Sequence, residues 1–132
     1  YGTLLVPKIW ELVTECPHLT PLSATLPGHS IWRVEDATFP AIKKEDRDDK
    51  CSVAGQVYLK VPPLAMQRLD LYEDAFYERV EVTVLTDNGE IDAQVYRAPS
   101  ETAKAILSDD PWTLEWFEKN GLEPFLKNVF DH

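Results

Sequence analysis

Apolar residues fall at helical spacing near the start of the chain, where Leu5, Ile9, Trp10, Leu12 and Val13 share one side of residues 4–14. Pro7 sits in the first turn of that predicted helix, where a missing N–H costs little. The pattern then shortens. SATLPGHSIWRVED and ATFPAIKK read as short β pieces punctuated by Pro and Gly. SVAGQVYLKV alternates Val53, Val57 and Leu59 against Gln56 and Tyr58, which predicts a strand. PPLAMQRLDLYED predicts a helix opened by adjacent prolines, with Leu64, Leu69 and Tyr72 facing inward. FYERVEVTVL alternates with Phe76, Val80, Val82 and Val84 on one face, and IDAQVYRA places Ile91, Ala93 and Val95 on one face. Asn88-Gly89 between these runs predicts a hairpin.

The last third reads as helical. Asp110-Pro111 has the form of an N-cap followed by a first-turn proline. Trp112, Trp116 and Phe117 form one stripe, assigned to the core with a dimer face as the alternative use. Gly121 ends that helix, and Leu122, Phe125, Leu126 and Phe130 form a second stripe. The polar run KKEDRDDK, residues 43–50, reads as a solvated loop rather than a domain boundary. Helices and strands without regular βα alternation predict one α+β domain over residues 1–132, with a mostly antiparallel sheet or barrel.

Composition narrows the function classes. The 132 residues are 44% hydrophobic and 27% charged, an ordinary globular balance. No apolar run approaches the roughly 20 residues of a membrane span, and from YGTLLVPK no targeting segment is expected. A net charge of −10 opposes nucleic-acid or anionic-membrane partners, which need clustered Lys and Arg. Cys16 and Cys51 form no CxxC pair and are expected as reduced thiols in a cytoplasmic protein. His18, His29 and His132 are scattered, so no metal site is expected. No nucleophile elbow or nucleotide-binding glycine pattern occurs.

The stretch LDLYEDAFYERVEV, residues 69–82, concentrates Asp70, Glu73, Asp74, Glu78 and Glu81 at a helix-to-strand junction. At a helix C-terminus, the dipole and the like charges of Asp70 and Asp74 oppose ionisation of Glu73. A carboxylate tuned upward in this way suits a general base near neutral pH. The alternative is a set of acids that only solvates a helix end. Tyr77 and Arg79 share a strand face, either beside a bound group or as a surface Tyr–Arg stack. YGTL precedes a helix, where free amides can hold an anion or simply cap the chain.

Taken in order, YGTL, SATLPGHSIWRV, TFPAI, SVAGQVYLKV and LDLYEDAFYERVEV resemble the gamma-glutamylcyclotransferase-like family, including its avirulence-induced-gene-like and gamma-glutamylamine branches. The likeness runs from Tyr1 to about Tyr96. It implies a small mixed, mostly antiparallel β-barrel with flanking helices, in which an apolar strand would precede YGTL. It implies that Glu73 is the acid–base residue and that Tyr1, Gly2, Thr3 and Leu4 form the loop holding the substrate's glutamyl end. Tyr77 matches the tyrosine of the same segment and Pro40 the cavity wall, with Leu5 and Arg79 as further substrate contacts. Asp74 stands where the family has glycine, and Phe39 where it has tyrosine. The implied reaction is cofactor-free release of 5-oxoproline and an amine or amino acid from a gamma-glutamyl compound. A catalytically idle ligand-binding module or a related acyl-group transferase is the alternative. The partner expected is the small-molecule substrate, with monomer or homodimer left open.

Overall fold

Pro7 opens helix α1 (Pro7–Thr14) at its first position, and Glu15, in the left-handed region at φ 56°, closes it. A single 3₁₀ turn, Gly2–Leu5, stands in front of it. The computed structural model describes residues 1–45, 51–73 and 77–130. The strands are β1 (Leu22–Pro27), β2 (His29–Val34), β3 (Pro40–Lys44), β4 (Ser52–Val57), β5 (Glu78–Thr86), β6 (Gly89–Arg97) and β7 (Leu107–Pro111). The later helices are α2 (Pro63–Glu73), α3 (Ser100–Ile106), α4 (Leu114–Asn120) and α5 (Leu122–Phe130).

All described pairings are antiparallel and make two sheets, ordered β4-β1-β5-β6 and β3-β2-β7. Only Gly28, at φ 71°, separates β1 in one sheet from β2 in the other. A glycine turns that corner without the steric cost a Cβ would bring. The α+β class matches the expectation, but the described ladder stays open, because β4 and β6 are the two unpaired edges of the larger sheet.

The hairpin between β5 and β6 forms at the expected place. The left-handed residue is Gly89 (φ 108°), and the Thr86 hydroxyl donates to its carbonyl at 2.9 Å. Val82 and Val84 on β5 and Ile91, Ala93 and Val95 on β6 pack with Leu26, Ile42 and Val53. A second cluster joins Ile9, Trp10 and Val13 of α1 to Leu69, Trp112 and Phe117. The third gathers Val34, Ala41, Ala98 and Ala103, with Tyr77 and Phe39 packed against them.

Several details depart from the pattern. The fourth strand stops at Val57, so Tyr58 lies flat on Trp10 with ring centroids 3.6 Å apart instead of facing outward, and Leu59 is exposed. Leu64 is 56% exposed, and Ala65 takes the buried place on α2. Asp110 does not cap a helix. Residues 107–111 are recruited as β7 along β2, with the Pro111 carbonyl accepting from Arg33 Nε at 3.0 Å. The α4 cap is Thr113, whose hydroxyl accepts from Trp116 N at 3.1 Å. Trp112 is buried ahead of that helix and donates to the Thr38 carbonyl at 2.8 Å. Cys16 is a buried free thiol. No described helix is long and apolar enough to cross a membrane. The expectations for Asp74, Phe76 and His132, and for most of the 43–50 loop, lie outside the described residues.

Gly121 joins α4 to α5 where the backbone runs tightly past β3's approach. A Cβ there would lie 2.5 Å from Thr38 Cβ and 2.9 Å from Phe117 Cδ1. Gly121→Ala is therefore expected to cost about 1–3 kcal/mol through overpacking, read as a lower urea midpoint. An unchanged midpoint would show that this junction has room.

Candidate functional site

Helix α2 brings the site together. Its buried Leu69 packs with Ile9, Trp10 and Val13 of α1, and its C-terminal turn then brings Tyr72 and Glu73 beside the first residues of the chain. The Thr3 hydroxyl and the Tyr72 hydroxyl are hydrogen-bonded at 2.8 Å, which ties the 3₁₀ turn to the helix end. Gly2 is held at φ 71°, and its Cα faces Pro40, whose Cγ would lie 3.1 Å from an added Cβ. Only glycine combines that backbone conformation with that close approach. The Tyr77 hydroxyl donates to the Pro40 carbonyl, closing the loop between β3 and the start of β5.

A cavity of about 470 Å³ opens beside this junction. Glu73, Tyr1, Leu4, Leu5 and Arg79 all line it, together with the two open edges β4 and β6 of the larger sheet. The stacked Trp10–Tyr58 pair, Met66 and Leu69 give it an apolar wall. Tyr1 bridges the two edges at one end: its backbone packs on Gly55 of β4 and its hydroxyl donates to the Tyr96 carbonyl of β6 at 2.7 Å.

Burial raises the Glu73 pKa from 4.5 to about 7. The direction is the one the sequence suggested, but the dominant cause is loss of water rather than the helix dipole or Asp70. Burial also raises the hydroxyl pKa values of Tyr1, Tyr72, Tyr77 and Tyr96, and the Glu73 charge raises each of them further. Glu73 is thus a half-ionised carboxylate near neutral pH among four hydroxyls that stay protonated. Such a group can take up a proton and give it back at little energetic cost.

A family profile described as "Gamma-glutamyl cyclotransferase, AIG2-like" matches residues 1–114. The chain belongs to this family. AIG2-like protein D of Arabidopsis thaliana is 30% identical over 133 aligned residues, covering 96% of this chain and 82% of that protein. A solved solution structure of another Arabidopsis thaliana protein superposes with a TM-score of 0.70 at 22% identity, covering 99% of this chain and 77% of that one. A solved gamma-glutamyl cyclotransferase gives a TM-score of 0.61 at 19% identity, over 97% of this chain and 81% of that one. At these identities the two structures establish a shared fold.

Within that fold, the residues singled out in the sequence divide into two groups. Glu73, Tyr1, Leu4, Leu5 and Arg79 meet at the cavity. Gly2, Thr3, Pro40 and Tyr77 form the frame around it. Tyr77 and Arg79 do not stack on each other as a surface pair: Tyr77 reaches Pro40, whereas Arg79 reaches Asp70 at 3.4 Å. Sequence reasoning passed over Tyr96 and the Trp10–Tyr58 wall. Tyr58 falls in step with a strand that ends one residue before it, and Tyr96 lies on an edge strand whose partner surface is not written in its own alternation.

The raised Glu73 pKa has a consequence for stability. Between about pH 4.5 and 7 the folded chain binds a proton at Glu73 that the unfolded chain releases, so stability falls as pH rises through this window. Glu73→Gln, which stays neutral, is expected to match the wild type near pH 4.5 and to exceed it by about 2–3 kcal/mol at pH 8. Urea denaturation at the two pH values checks this. An equal gap at both would mean that Glu73 is ionised in the fold from low pH.

Proposed function

We propose that this protein is a gamma-glutamyl cyclotransferase, releasing 5-oxoproline and a free amine or amino acid from a gamma-glutamyl compound. The observation that carries the reading is one carboxylate, Glu73, poised near pH 7 on a cavity that it shares with Tyr1 and Leu4 of the YGTL turn. Membership of the family supports the reaction class.

In this reading the substrate's α-ammonium gives a proton to Glu73, and the freed amine attacks the γ-carbonyl carbon of its own chain. A C–N bond forms, the carbonyl becomes an oxyanion, and the five-membered ring closes. Glu73 then returns that proton to the departing nitrogen as the original amide C–N bond breaks, and the second proton of the ring nitrogen passes to the released amine, giving the neutral lactam and an ammonium. No water is consumed and no electrons are exchanged. The first amides of a helical turn have no carbonyl within that turn to bond, so those of the Gly2–Leu4 stretch, of which Leu4 lines the cavity, suit the oxyanion, a kind of contact worth about 3–4 kcal/mol in other acyl-transfer enzymes. Because nucleophile and electrophile belong to one molecule, holding the glutamyl chain folded supplies much of the rate. Arg79 fits the substrate's α-carboxylate.

The test is a panel of gamma-glutamyl amines and dipeptides incubated with the purified protein, with 5-oxoproline as the readout. Turnover is expected to rise with pH through about 7, following Glu73, and Glu73→Gln is expected to lower it by about a thousandfold or more while binding persists. Binding without any release by the wild type would replace the enzyme with a ligand-binding module.

A further inference from the structure

Asp70 does not line the cavity, yet both of its partners do. Its Oδ1 accepts a hydrogen bond from the Tyr96 hydroxyl at 2.5 Å, and the same oxygen lies 3.4 Å from Arg79 Nη1. Tyr96 and Arg79 are cavity residues, one on the edge strand β6 and the other near the start of β5. Asp70 stands three residues before Glu73 on α2, so it occupies the same side of the helix one turn back. One carboxylate oxygen therefore connects the helix that carries Glu73 to two adjacent strands of the sheet. Tyr96 extends the chain of contacts, because its carbonyl holds the Tyr1 hydroxyl at 2.7 Å.

This arrangement is more than an exposed ion pair. An Asp–Arg contact at 3.4 Å, with side chains 45% and 36% exposed, would by itself do little for stability. What it does is geometric. Arg has a long, flexible stem, and a guanidinium left alone at a cavity mouth samples many rotamers before it meets an anion. Asp70 engages one end of the guanidinium and, through Tyr96, is itself held in one rotamer. It also carries a negative charge one turn from Glu73 that Arg79 and the tyrosine hydroxyl absorb.

We infer that Asp70 is a positioning residue for substrate binding, which fixes Arg79 and Tyr96 so that Arg79 receives the carboxylate of the glutamyl group. The inference rests on the cyclotransferase reading of the cavity and assigns a task to a residue that touches no substrate.

The experiment compares Asp70→Asn, Arg79→Met, the double variant and Tyr96→Phe, using the best substrate of the panel and thermal unfolding to confirm that each is folded. Asp70→Asn is expected to raise KM about tenfold, the scale of one lost charge-assisted contact, with kcat changed less than about threefold and its pH midpoint unmoved. Arg79→Met should raise KM at least as far, and adding Asp70→Asn to it should change nothing more, because Asp70 acts through Arg79. Tyr96→Phe should give a smaller rise in the same direction. An unchanged KM in Asp70→Asn, a loss confined to kcat, or effects that multiply in the double variant would overturn the inference. Calorimetric binding of 5-oxoproline separates it from the reading beneath it. If the wild type binds 5-oxoproline tenfold more tightly than Asp70→Asn but turns nothing over, the positioning role stands and the enzyme reading falls. If the wild type shows neither binding nor turnover, both fall. Should Asp70→Asn not fold, the Tyr96→Phe comparison with Arg79→Met decides by the same criteria.

Discussion

The exclusion of water from one carboxylate organises the rest of the molecule. Glu73 is the last residue of α2, a position that on an isolated helix would be fully hydrated. Here the helix end is held against the 3₁₀ turn of residues 2–5 by the Thr3–Tyr72 hydrogen bond on one side and by the packing of Leu69 on α1 behind it. Desolvating an ionisable group is costly, and the fold meets that cost by leaving the proton on Glu73 up to about pH 7. Four tyrosine hydroxyls share its surroundings, and among the described residues Glu73 forms no ion pair. A stability penalty and a chemical competence are here the same fact.

Two open sheet edges give that carboxyl something to face. In the four-stranded sheet β4 and β6 lie at opposite ends of the order, and both line the cavity. The sheet buries Leu26, Val53 and Val84, and both of its margins contribute residues to the cavity. Tyr1 spans it at one end, and the Trp10–Tyr58 stack walls another side. The cavity is thus apolar over much of its surface with a few convergent polar groups, the usual composition of a small-molecule site.

Much of the architecture could be read from local patterns. Alternation gave β5 and β6 and the faces they bury, because a period of two admits only one register against a core. Asn88-Gly89 marked the hairpin, and the left-handed residue is that glycine. Pro7 at the start of α1 acts as local chemistry dictates, whereas Gly121 ends α4 outside the left-handed region and is required by the close approach of Thr38. The errors arose where tertiary contacts outbid local signals. The Asp110-Pro111 cap lost because β2 offered those residues a strand partner, and Thr113 was available to cap instead. Leu64 lost its inward place to Ala65, the small neighbour that α2 turns into the protein.

By itself the sequence determined that an acid would sit at the α2-to-β5 junction, that YGTL would form a turn ahead of a helix, and that the chain would fold as an α+β domain. Those depend on residue type and spacing within a few positions, which the polymer carries in any conformation. Only the tertiary structure decided which of the neighbouring acids is buried and which is paired. Asp70 and Glu73 are three residues apart on one helix, yet Asp70 finds Tyr96 and Arg79 whereas Glu73 turns into the desolvated space beside Tyr1. That difference comes from strands that are distant in the chain and adjacent in the fold, and no local pattern records the water they displace.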